Sequence, residues 1–402
     1  MNRLFSRSPR LFRLILSTRP LTRSLWMSAA IMLQTSCAPL HRSEVPAKLA
    51  DCWAVGRPDD AGFNIVALDQ LTQKIKNGEF PNTHAVLIEH DNRLVYEEYF
   101  EGTDEKLGTP LGHRVFDRDS VHDVRSITKS ITSTLLGIAL GSQPETALTN
   151  SIAAYFPNLH FRPEYQRITL HHVLTMTAGL EWNEMEIPYT DKNNDEIRMS
   201  NARDPFRFVL SRSIRQTPGT VWYYNGGLSQ LLAGVVMQIT GKSLDVYAKE
   251  SLFDPLGIRH FEWVSSPTWK PEMPYAASGL RLRARDLAKF GSLFLHQGRW
   301  NGKQVVPSTW ISLATARHVP EIDKRWSGGG VWGYGYQWWH GRFSQGYTVL
   351  AAFGNGNQRV FILPEQKIAV TIFAGEYNKF EGHSERLLHE IMAARSAQTK
   401  RN

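Results

Sequence analysis

Ser126 and Lys129 stand three residues apart, just ahead of an apolar run over residues 131–140. On a helix that spacing puts both side chains on one face, with Lys129 one turn above Ser126. A serine hydroxyl becomes a strong nucleophile only when a nearby base removes its proton, and Ser-x-x-Lys is one arrangement that supplies this base. The pattern is short enough to arise by chance, so its weight depends on the features that accompany it.

A second candidate lies 97 residues after Ser126, where Tyr223 and Asn225 form a Tyr-x-Asn pattern ahead of an apolar helical segment. An ammonium group close to a phenol stabilises the phenolate and lowers the pKa of the tyrosine, which gives a base suited to neutral pH. Asn225 could then orient Lys129 or donate to a substrate carbonyl. The alternative is that Tyr223 is a buried tyrosine whose hydroxyl is simply hydrogen-bonded.

The third candidate is Ala352-Phe353-Gly354-Asn355, at the end of a predicted strand. A glycine there lets the backbone approach a substrate, and the next N–H can point at a developing oxyanion. The alternative is an ordinary Asn-Gly hairpin turn, which the same residues would also suit.

Period-two apolar patterns predict strands near both ends of the chain, and helical patterns fill the middle. Residues 84–90 and 93–100 flank the turn pair Asp91-Asn92, and further strands are predicted at 347–353, 358–363 and 368–373. Helices are predicted at 168–176, 226–240, 243–253 and 384–394. This order predicts an α/β fold, in which helices flank one antiparallel sheet built from both chain ends, with an all-α insertion.

The corresponding domain prediction is a sheet subdomain over 60–140 plus 335–396 and a mostly helical subdomain over 141–334. The aromatic run over 332–339 is expected to pack between the two, with pocket lining as the alternative.

The basic charge of the chain is concentrated in its leader. Seven arginines precede the first acidic residue, Glu44, so the formal net charge of +8 falls to +1 for the remainder. Nucleic-acid binding therefore gains no support.

Residues 1–40 are predicted to be an export signal, because an arginine-rich start is followed by an apolar stretch too short to span a bilayer. The segment Thr35-Ser36-Cys37-Ala38 resembles a bacterial lipoprotein cleavage site. We therefore expect the protein to be periplasmic or to be a lipoprotein anchored through Cys37. A mitochondrial-type transit peptide or a disordered basic extension is the alternative.

No cofactor or metal is predicted. The histidines at 171, 172, 383 and 389 lack metal-ligand spacing with an acidic partner, and no glycine-rich phosphate loop occurs. The oligomeric state is left open.

The ordered motifs resemble those of the serine β-lactamases and penicillin-recognising enzymes of the class C type, which include DD-peptidases, esterases and 6-aminohexanoate-dimer hydrolase. The resemblance implies a β-lactamase-like fold with Ser126 as nucleophile, Lys129 as its partner and Tyr223 as general base. It also implies that Asn225 contacts the substrate or the lysine, and that the N–H groups of Ser126 and Asn355 form an oxyanion hole. Supporting stretches are "ITLHHVLTMTAGLEWNE", "PGTVWYYNGGLSQLLAGVV" and "ASGLRLRARDLAKFGSLFLHQGRW".

One departure from that family concerns charge. The third motif there is usually Lys-Thr-Gly or His-x-Gly, whereas this chain has Ala352-Phe353-Gly354 and so lacks the cation that holds a substrate carboxylate. Arg359 is nearby in sequence, but the direction of its side chain is open. The departure looks more like the 6-aminohexanoate-dimer hydrolase and esterase branch, in which Tyr189 would correspond to a mobile substrate-covering tyrosine.

We therefore predict an exported serine hydrolase that acts on a carboxylic ester or linear amide through a Ser126 acyl-enzyme. A β-lactamase or DD-peptidase is the first alternative, and a non-catalytic binding lipoprotein is the second.

Overall fold

An eight-stranded sheet drawn from both ends of the chain organises the fold. The structure is a computed structural model and describes residues 45–159, 161–269, 273–322, 331–343, 346–379 and 382–399. The strands of this sheet are β1 (Ala54–Val55), β2 (Thr83–His90), β3 (Arg93–Tyr99), β11 (Val331–Tyr334), β12 (Trp339–Arg342), β13 (Thr348–Gly354), β14 (Gln358–Leu363) and β15 (Ile368–Ala374). They are ordered β1-β3-β2-β15-β14-β13-β12-β11, which confirms a sheet assembled from the two chain ends.

The hairpin predicted from the turn pair is present. Asp91 and Asn92 have φ angles of 49° and 68°, the left-handed pair that a type I′ turn between β2 and β3 requires. The prediction of a purely antiparallel sheet is wrong at one edge, since β1 pairs with β3 in parallel. A parallel pairing needs a crossover rather than a hairpin, and the chain makes it through a helix.

The remaining strands form three smaller sheets. Two hairpins are β4 (Glu101–Lys106) with β5 (Thr109–Val115) and β9 (Arg299–Trp300) with β10 (Lys303–Gln304), and a three-stranded sheet has the order β6 (Val121–Asp123), β8 (Leu280–Arg283), β7 (Phe261–Trp263). The segment predicted to be helical over 141–334 thus also carries short strands. The subdomain boundaries remain a prediction.

Helices pack on both faces of the large sheet. They are α1 (Ile65–Lys76), α2 (Ile127–Leu140), α3 (Glu145–Thr149), α4 (Leu170–Leu174), α5 (Asp195–Ser200), α6 (Pro205–Leu210), α7 (Gly226–Thr240), α8 (Leu244–Ala248), α9 (Ala284–Leu295), α10 (Ser308–Thr315) and α11 (His383–Thr399). On one face, Gly291 of α9 packs over Val360 of β14. On the other, Thr72 of α1 is 2.7 Å from the hydroxyl of Tyr96 in β3. None of the helices in the described ranges is both long and apolar enough to cross a membrane.

Helix α2 runs through the interior although five of its first twelve residues are hydroxylic. Each of these side chains has a backbone acceptor, and three of the acceptors lie on neighbouring segments: Ser130 donates to the Gln337 carbonyl at 2.7 Å, Ser133 to the Tyr336 carbonyl at 2.8 Å and Thr132 to the Ala276 carbonyl at 3.0 Å. A buried hydroxyl costs little free energy once it is hydrogen-bonded. These bonds tie α2 to the aromatic segment and so hold Ser126, at the N-terminal end of α2, in one place.

Candidate active site

A strained turn presents Ser126. Arg125 has a φ of 51°, which is uncommon for a residue with a side chain, and Ser126 follows as the N-cap of α2. The guanidinium of Arg125 is held by ion pairs with Asp123, at 3.1 Å, and with Glu105, and it stacks 4.9 Å above the ring of Tyr377. These contacts offset the cost of the turn, so the serine is displayed at the positive end of a helix dipole.

Lys129 reaches back to Ser126 as the three-residue spacing predicts. Its Nζ lies 3.1 Å from Ser126 Oγ and 3.0 Å from the carbonyl oxygen of Ala277. Lys129 is 1% exposed, so water contributes almost nothing to the solvation of its amine. The structure therefore joins a nucleophile and a buried amine at hydrogen-bond distance.

Tyr224, and not Tyr223, completes this cluster. The Tyr224 hydroxyl interacts with the Ser126 side chain, both residues line the same cavity, and Lys129 Nζ lies 4.7 Å from the centre of the Tyr224 ring. Tyr223 lines a separate cavity with Leu180 and Val221. The prediction that Tyr223 stands beside Ser126 is therefore wrong, because successive residues of an extended segment project to opposite sides and the Tyr-x-Asn pattern selected the wrong side.

Asn225 lies at the N-terminal end of α7. Its side chain caps α7 by accepting the Leu228 N–H at 3.2 Å, and it is not among the residues that line the cavity at Ser126. The hydrogen bonds of Lys129 Nζ go to Ser126 and Ala277 rather than to Asn225, and a substrate contact of Asn225 stays a prediction. The residue serves the helix terminus.

The pKa of Tyr224 moves in the direction opposite to the one expected from an adjacent ammonium. Burial raises this pKa well above its ordinary value, the carboxyl of Glu184 raises it further, and the interaction with the Ser126 side chain only partly opposes them. Tyr224 therefore rests as a neutral phenol. It suits the relay of a proton better than the permanent role of a phenolate base.

A cavity of about 90 Å³ opens at Ser126. Gly354 and Asn355 form one edge, and the Tyr189 ring lies opposite, with Met185, Trp339 and Phe353 supplying most of the remaining apolar lining. At Gly354 a Cβ atom would lie 2.4 Å from the Val124 carbonyl oxygen, so only glycine lets β13 approach the nucleophile turn this closely. The structure thus places Tyr189, Gly354 and Asn355 around the same cavity as Ser126, and their roles toward a substrate stay predictions.

The family profile described as Beta-lactamase matches residues 82–391, which is well over half of the chain. The chain belongs to the beta-lactamase family. This confirms the resemblance and the fold inferred from the motifs.

Individual relatives of this beta-lactamase-family chain carry several names. It is 26% identical to "Esterase EstB" of Burkholderia gladioli over 54% of this chain and 56% of that protein. It is also 26% identical to a "Putative D-alanyl-D-alanine carboxypeptidase" of Escherichia coli K12 over 57% of this chain and 54% of that protein. The chain thus spans little more than half the length of these relatives. A solved "Putative 6-aminohexanoate-dimer hydrolase from Bacillus anthracis" has the same fold, with a TM-score of 0.65, 24% identity and coverage of 81% and 82% of the two chains.

The missing cation of this beta-lactamase-family site is not replaced. Ala352 is wholly buried outside the cavity. Arg359 does line the cavity, but its Nε pairs with Glu385 Oε1 at 3.0 Å and its guanidinium stacks 4.3 Å from the centre of the Phe353 ring. The charge of Arg359 is therefore already neutralised by a carboxylate. Lys379, the other cation at the lining, pairs with Glu376 at 2.8 Å.

The aromatic run has both of the roles considered for it. Trp338 is fully buried and packs 4.1 Å from the ring centre of Phe294 in α9, whereas Trp339 lines the cavity and stacks on Phe353 with ring centres 4.9 Å apart.

Sequence reasoning missed two carboxyl groups, Glu184 and Glu196. Both are buried, and Glu184 Oε1 accepts a hydrogen bond from the Tyr189 hydroxyl at 2.8 Å. The one sequence feature that pointed to them is the pair Gly226-Gly227 after Asn225. Two glycines leave room at the start of α7 for side chains from other segments, such as these glutamates.

One further group of potential metal ligands occurs within the described ranges, namely His84, Asp104 and His122. His84 Nδ1 lies 2.9 Å from His122 Nε2, and His122 Nδ1 lies 3.0 Å from the Asp123 carbonyl oxygen. These are direct hydrogen-bond distances, and the two rings are stacked on Phe116 and Phe373. We therefore interpret the group as a buried hydrogen-bonded network beneath the Ser126 turn.

Proposed function

We propose that this chain is a serine hydrolase that cleaves a carboxylic ester or a linear amide through an acyl-enzyme on Ser126. The observation that carries the proposal is the cluster of Ser126 Oγ, Lys129 Nζ and the Tyr224 hydroxyl at the mouth of one cavity. A nucleophile beside an amine that can accept and return its proton, and beside a phenol that can relay it, is an arrangement suited to acyl transfer.

In the proposed acylation step, Ser126 Oγ attacks the substrate carbonyl carbon while its proton passes, directly or through the Tyr224 hydroxyl, to the neutral amine of Lys129, which becomes an ammonium. The same pair then gives that proton to the leaving alcohol or amine as the bond to the carbonyl breaks. Backbone N–H groups of Ser126 and Asn355 are proposed to stabilise the oxyanion, and water hydrolyses the acyl-Ser126 ester in the second half. The Tyr189 ring would cover the bound acyl group.

The lining of the cavity favours a neutral substrate of modest size. Its walls are mainly aromatic, and both cations at its edge are paired with carboxylates. The 90 Å³ cavity suits a short acyl group, since it is smaller than a cavity of roughly 150 Å³ that binds benzene, and a second cavity of about 320 Å³ that Ser126 also lines leaves room for the leaving group.

The decisive experiment treats wild type and Ser126→Ala with a fluorophosphonate probe and with p-nitrophenyl butyrate. We expect labelling and turnover in wild type and loss of both in Ser126→Ala at unchanged thermal stability. Equal labelling of the two proteins would show that the nucleophile is another residue. Ser229→Ala is a suitable control, because Ser229 is buried and bonds to Gln337 away from the cavity.

A second candidate function is action on β-lactams or on peptidoglycan peptides, which the name of the carboxypeptidase relative favours. It predicts nitrocefin turnover or a lasting acyl adduct on Ser126, observed by mass spectrometry of the intact protein. A non-catalytic binding lipoprotein would give no adduct with the ester, the β-lactam or the fluorophosphonate.

Export is proposed from the arginine-rich leader over residues 1–40, and anchoring from Cys37. Both lie outside the described residues. Fractionation of cells that express wild type or Cys37→Ser tests the proposal: a lipoprotein moves from the membrane to the soluble periplasmic fraction in the variant. An exported protein without a lipid is periplasmic in both.

A further inference from the structure

Two buried glutamates meet behind the catalytic cluster. Glu184 and Glu196 are 0% and 9% exposed, and they bracket the loop that carries Tyr189. Glu184 Oε2 accepts the backbone N–H of Gly226, the first residue of α7, at 2.6 Å, and the Ser278 hydroxyl donates to Glu196 Oε1 at 2.8 Å. The acyl-transfer steps described above use neither carboxyl, so their burial requires another explanation.

The two carboxyls converge on the first residue of α7. A Cβ atom built on Gly226 would lie 3.2 Å from Oε2 of each glutamate, which places both oxygens around the space that a side chain at 226 would fill. Two carboxylates in such contact cannot both be ionised, so the pair holds one proton and one negative charge. Burial and the neighbouring Glu196 together raise the pKa of Glu184 to about 8.

Lys129 becomes the cation that this charge faces once it has taken the proton of Ser126. Glu184 interacts electrostatically with Lys129, whereas the direct contacts of Lys129 Nζ are a hydroxyl and a carbonyl oxygen. A buried ammonium is costly without a counter-charge, and a hydroxyl and a carbonyl supply only dipoles.

We propose that Glu184 and Glu196 act as one proton-sharing unit that supplies the counter-charge of Lys129 and fixes the Tyr189 loop against α7. Both glutamates are then positioning residues for the Ser126 reaction. The kinetic part of this inference rests on the proposed function, and the part about the shared proton does not. A purely structural contact between the loop and the helix is the competing explanation.

The kinetic test compares Glu184→Gln, Glu196→Gln and the double variant. Either carboxylate can carry the single charge alone, so we expect each single variant to keep kcat within about 10-fold of wild type. The double variant has no counter-charge, and we expect its kcat to fall more than about 100-fold with little change in KM. A double variant whose loss equals the product of the single losses would overturn the proposal. Glu186→Gln, an exposed change in the same loop, is the matched control and should match wild type.

The second measurement needs no activity. Because the folded-state pKa of Glu184 is raised from 4.5 to about 8, the folded protein holds a proton that the unfolded chain releases, and stability falls as pH rises between these values. Besides Lys129, the groups that face the pair are Tyr189, Tyr224 and Tyr334, whose pKa values all lie well above this window.

We therefore expect Tm to decline more steeply from pH 5 to pH 8 in wild type and Glu186→Gln than in Glu184→Gln. Equal slopes would show that no shared proton exists, whatever the enzyme hydrolyses. A reduced slope together with an active double variant would show that the proton is shared without serving Lys129, which also overturns the proposal. If the double variant does not fold, the pH profile of kcat/KM in Glu196→Gln replaces it, and that variant should lose the part of the alkaline decline that begins near pH 8. If kcat/KM of Glu196→Gln falls at alkaline pH as it does in wild type, the proposal is contradicted.

Discussion

The α2 side and the β13 side of the cavity each hold a buried cation, and the two cations have different kinds of partner. On the α2 wall, Lys129 Nζ contacts Ser126 Oγ at 3.1 Å, and its counter-charge is a carboxyl pair that shares a proton. On the β13 wall, Arg359 contacts the carboxylate of Glu385 at 3.0 Å, donates to the Gly354 and Gln358 carbonyls and lies over the Phe353 ring. Lys129 therefore contacts the nucleophile, whereas Arg359 is held by an ion pair and hydrogen bonds with other groups of the protein.

Under the proposed function, this difference separates acyl transfer from the binding of a substrate anion. A direct ion pair in a partly buried place satisfies both partners, so Arg359 has little left for a ligand carboxylate. A diffuse counter-charge leaves the N–H groups of Lys129 free to follow the serine oxygen through the reaction. The predictions below test this contrast.

Replacing each cation by methionine should separate the two roles most strongly. Lys129→Met removes the group that touches the nucleophile, and we expect kcat/KM for p-nitrophenyl butyrate to fall by about 10²–10⁴-fold. Arg359→Met should keep kcat within about 10-fold and instead lower Tm, because Glu385 is left without its partner. Steady-state kinetics and thermal melts of both variants provide the measurements. A comparable loss of kcat in Arg359→Met would show that the β13 wall also takes part in the chemistry.

The adjacent tyrosines provide a matched pair on the α2 wall. Tyr224→Phe removes the hydroxyl that interacts with Ser126, and we expect about a 100-fold loss of kcat. Tyr223→Phe should stay within about 2-fold of wild type, since that side chain lines a different cavity. Fluorophosphonate labelling rates give the same comparison without a leaving group. If Tyr223→Phe is the slower variant, the placement of the two rings described here is wrong.

This pair also shows how far sequence reasoning extends. Ser126 and Lys129 could be predicted because they share a single helical turn, and the β2–β3 hairpin could be predicted because period-two patterns and turn residues are local. The choice between Tyr223 and Tyr224 depends on which way an extended segment faces when it docks, and here the Tyr223 N–H bonds to the Met176 carbonyl at 3.0 Å.

The contact between Glu184 and Glu196 is even harder to predict from sequence than the choice between the two tyrosines, because it depends entirely on tertiary structure. Glu184 and Glu196 meet only after the loop between them has folded back onto α7, and no spacing rule relates them to Gly226. The direction of Arg359 was open for the same reason. Its position on β14 follows from the alternating pattern, but its partner comes from α11.

Releasing the charge of Arg359 should partly restore an anion site. Glu385→Gln keeps the shape of the side chain and removes its charge, and we expect acylation of Ser126 by benzylpenicillin to become about 10-fold faster. The neutral ester p-nitrophenyl butyrate should be hydrolysed at nearly the wild-type rate. The acylation rate is measured by quenching the reaction at successive times and determining the acylated fraction by intact-protein mass spectrometry. An unchanged rate would mean that something other than charge excludes β-lactams from this cavity.

The smallest effect concerns the aromatic part of the β13 wall. Phe353 stacks on Trp339 and supports Arg359, and both rings limit the cavity to about 90 Å³. Phe353→Leu should enlarge the space while keeping the wall apolar, so the preference for butyrate over octanoate esters should shift a few-fold toward octanoate. The ratio of kcat/KM for the two p-nitrophenyl esters is the measurement, because it cancels any general loss of stability. Trp338→Phe is the control, since Trp338 packs against α9 beneath the wall, and its ratio should equal that of wild type. If the two variants shift the ratio equally, the size limit is set by overall packing, and Phe353 has no special part in selecting the acyl chain.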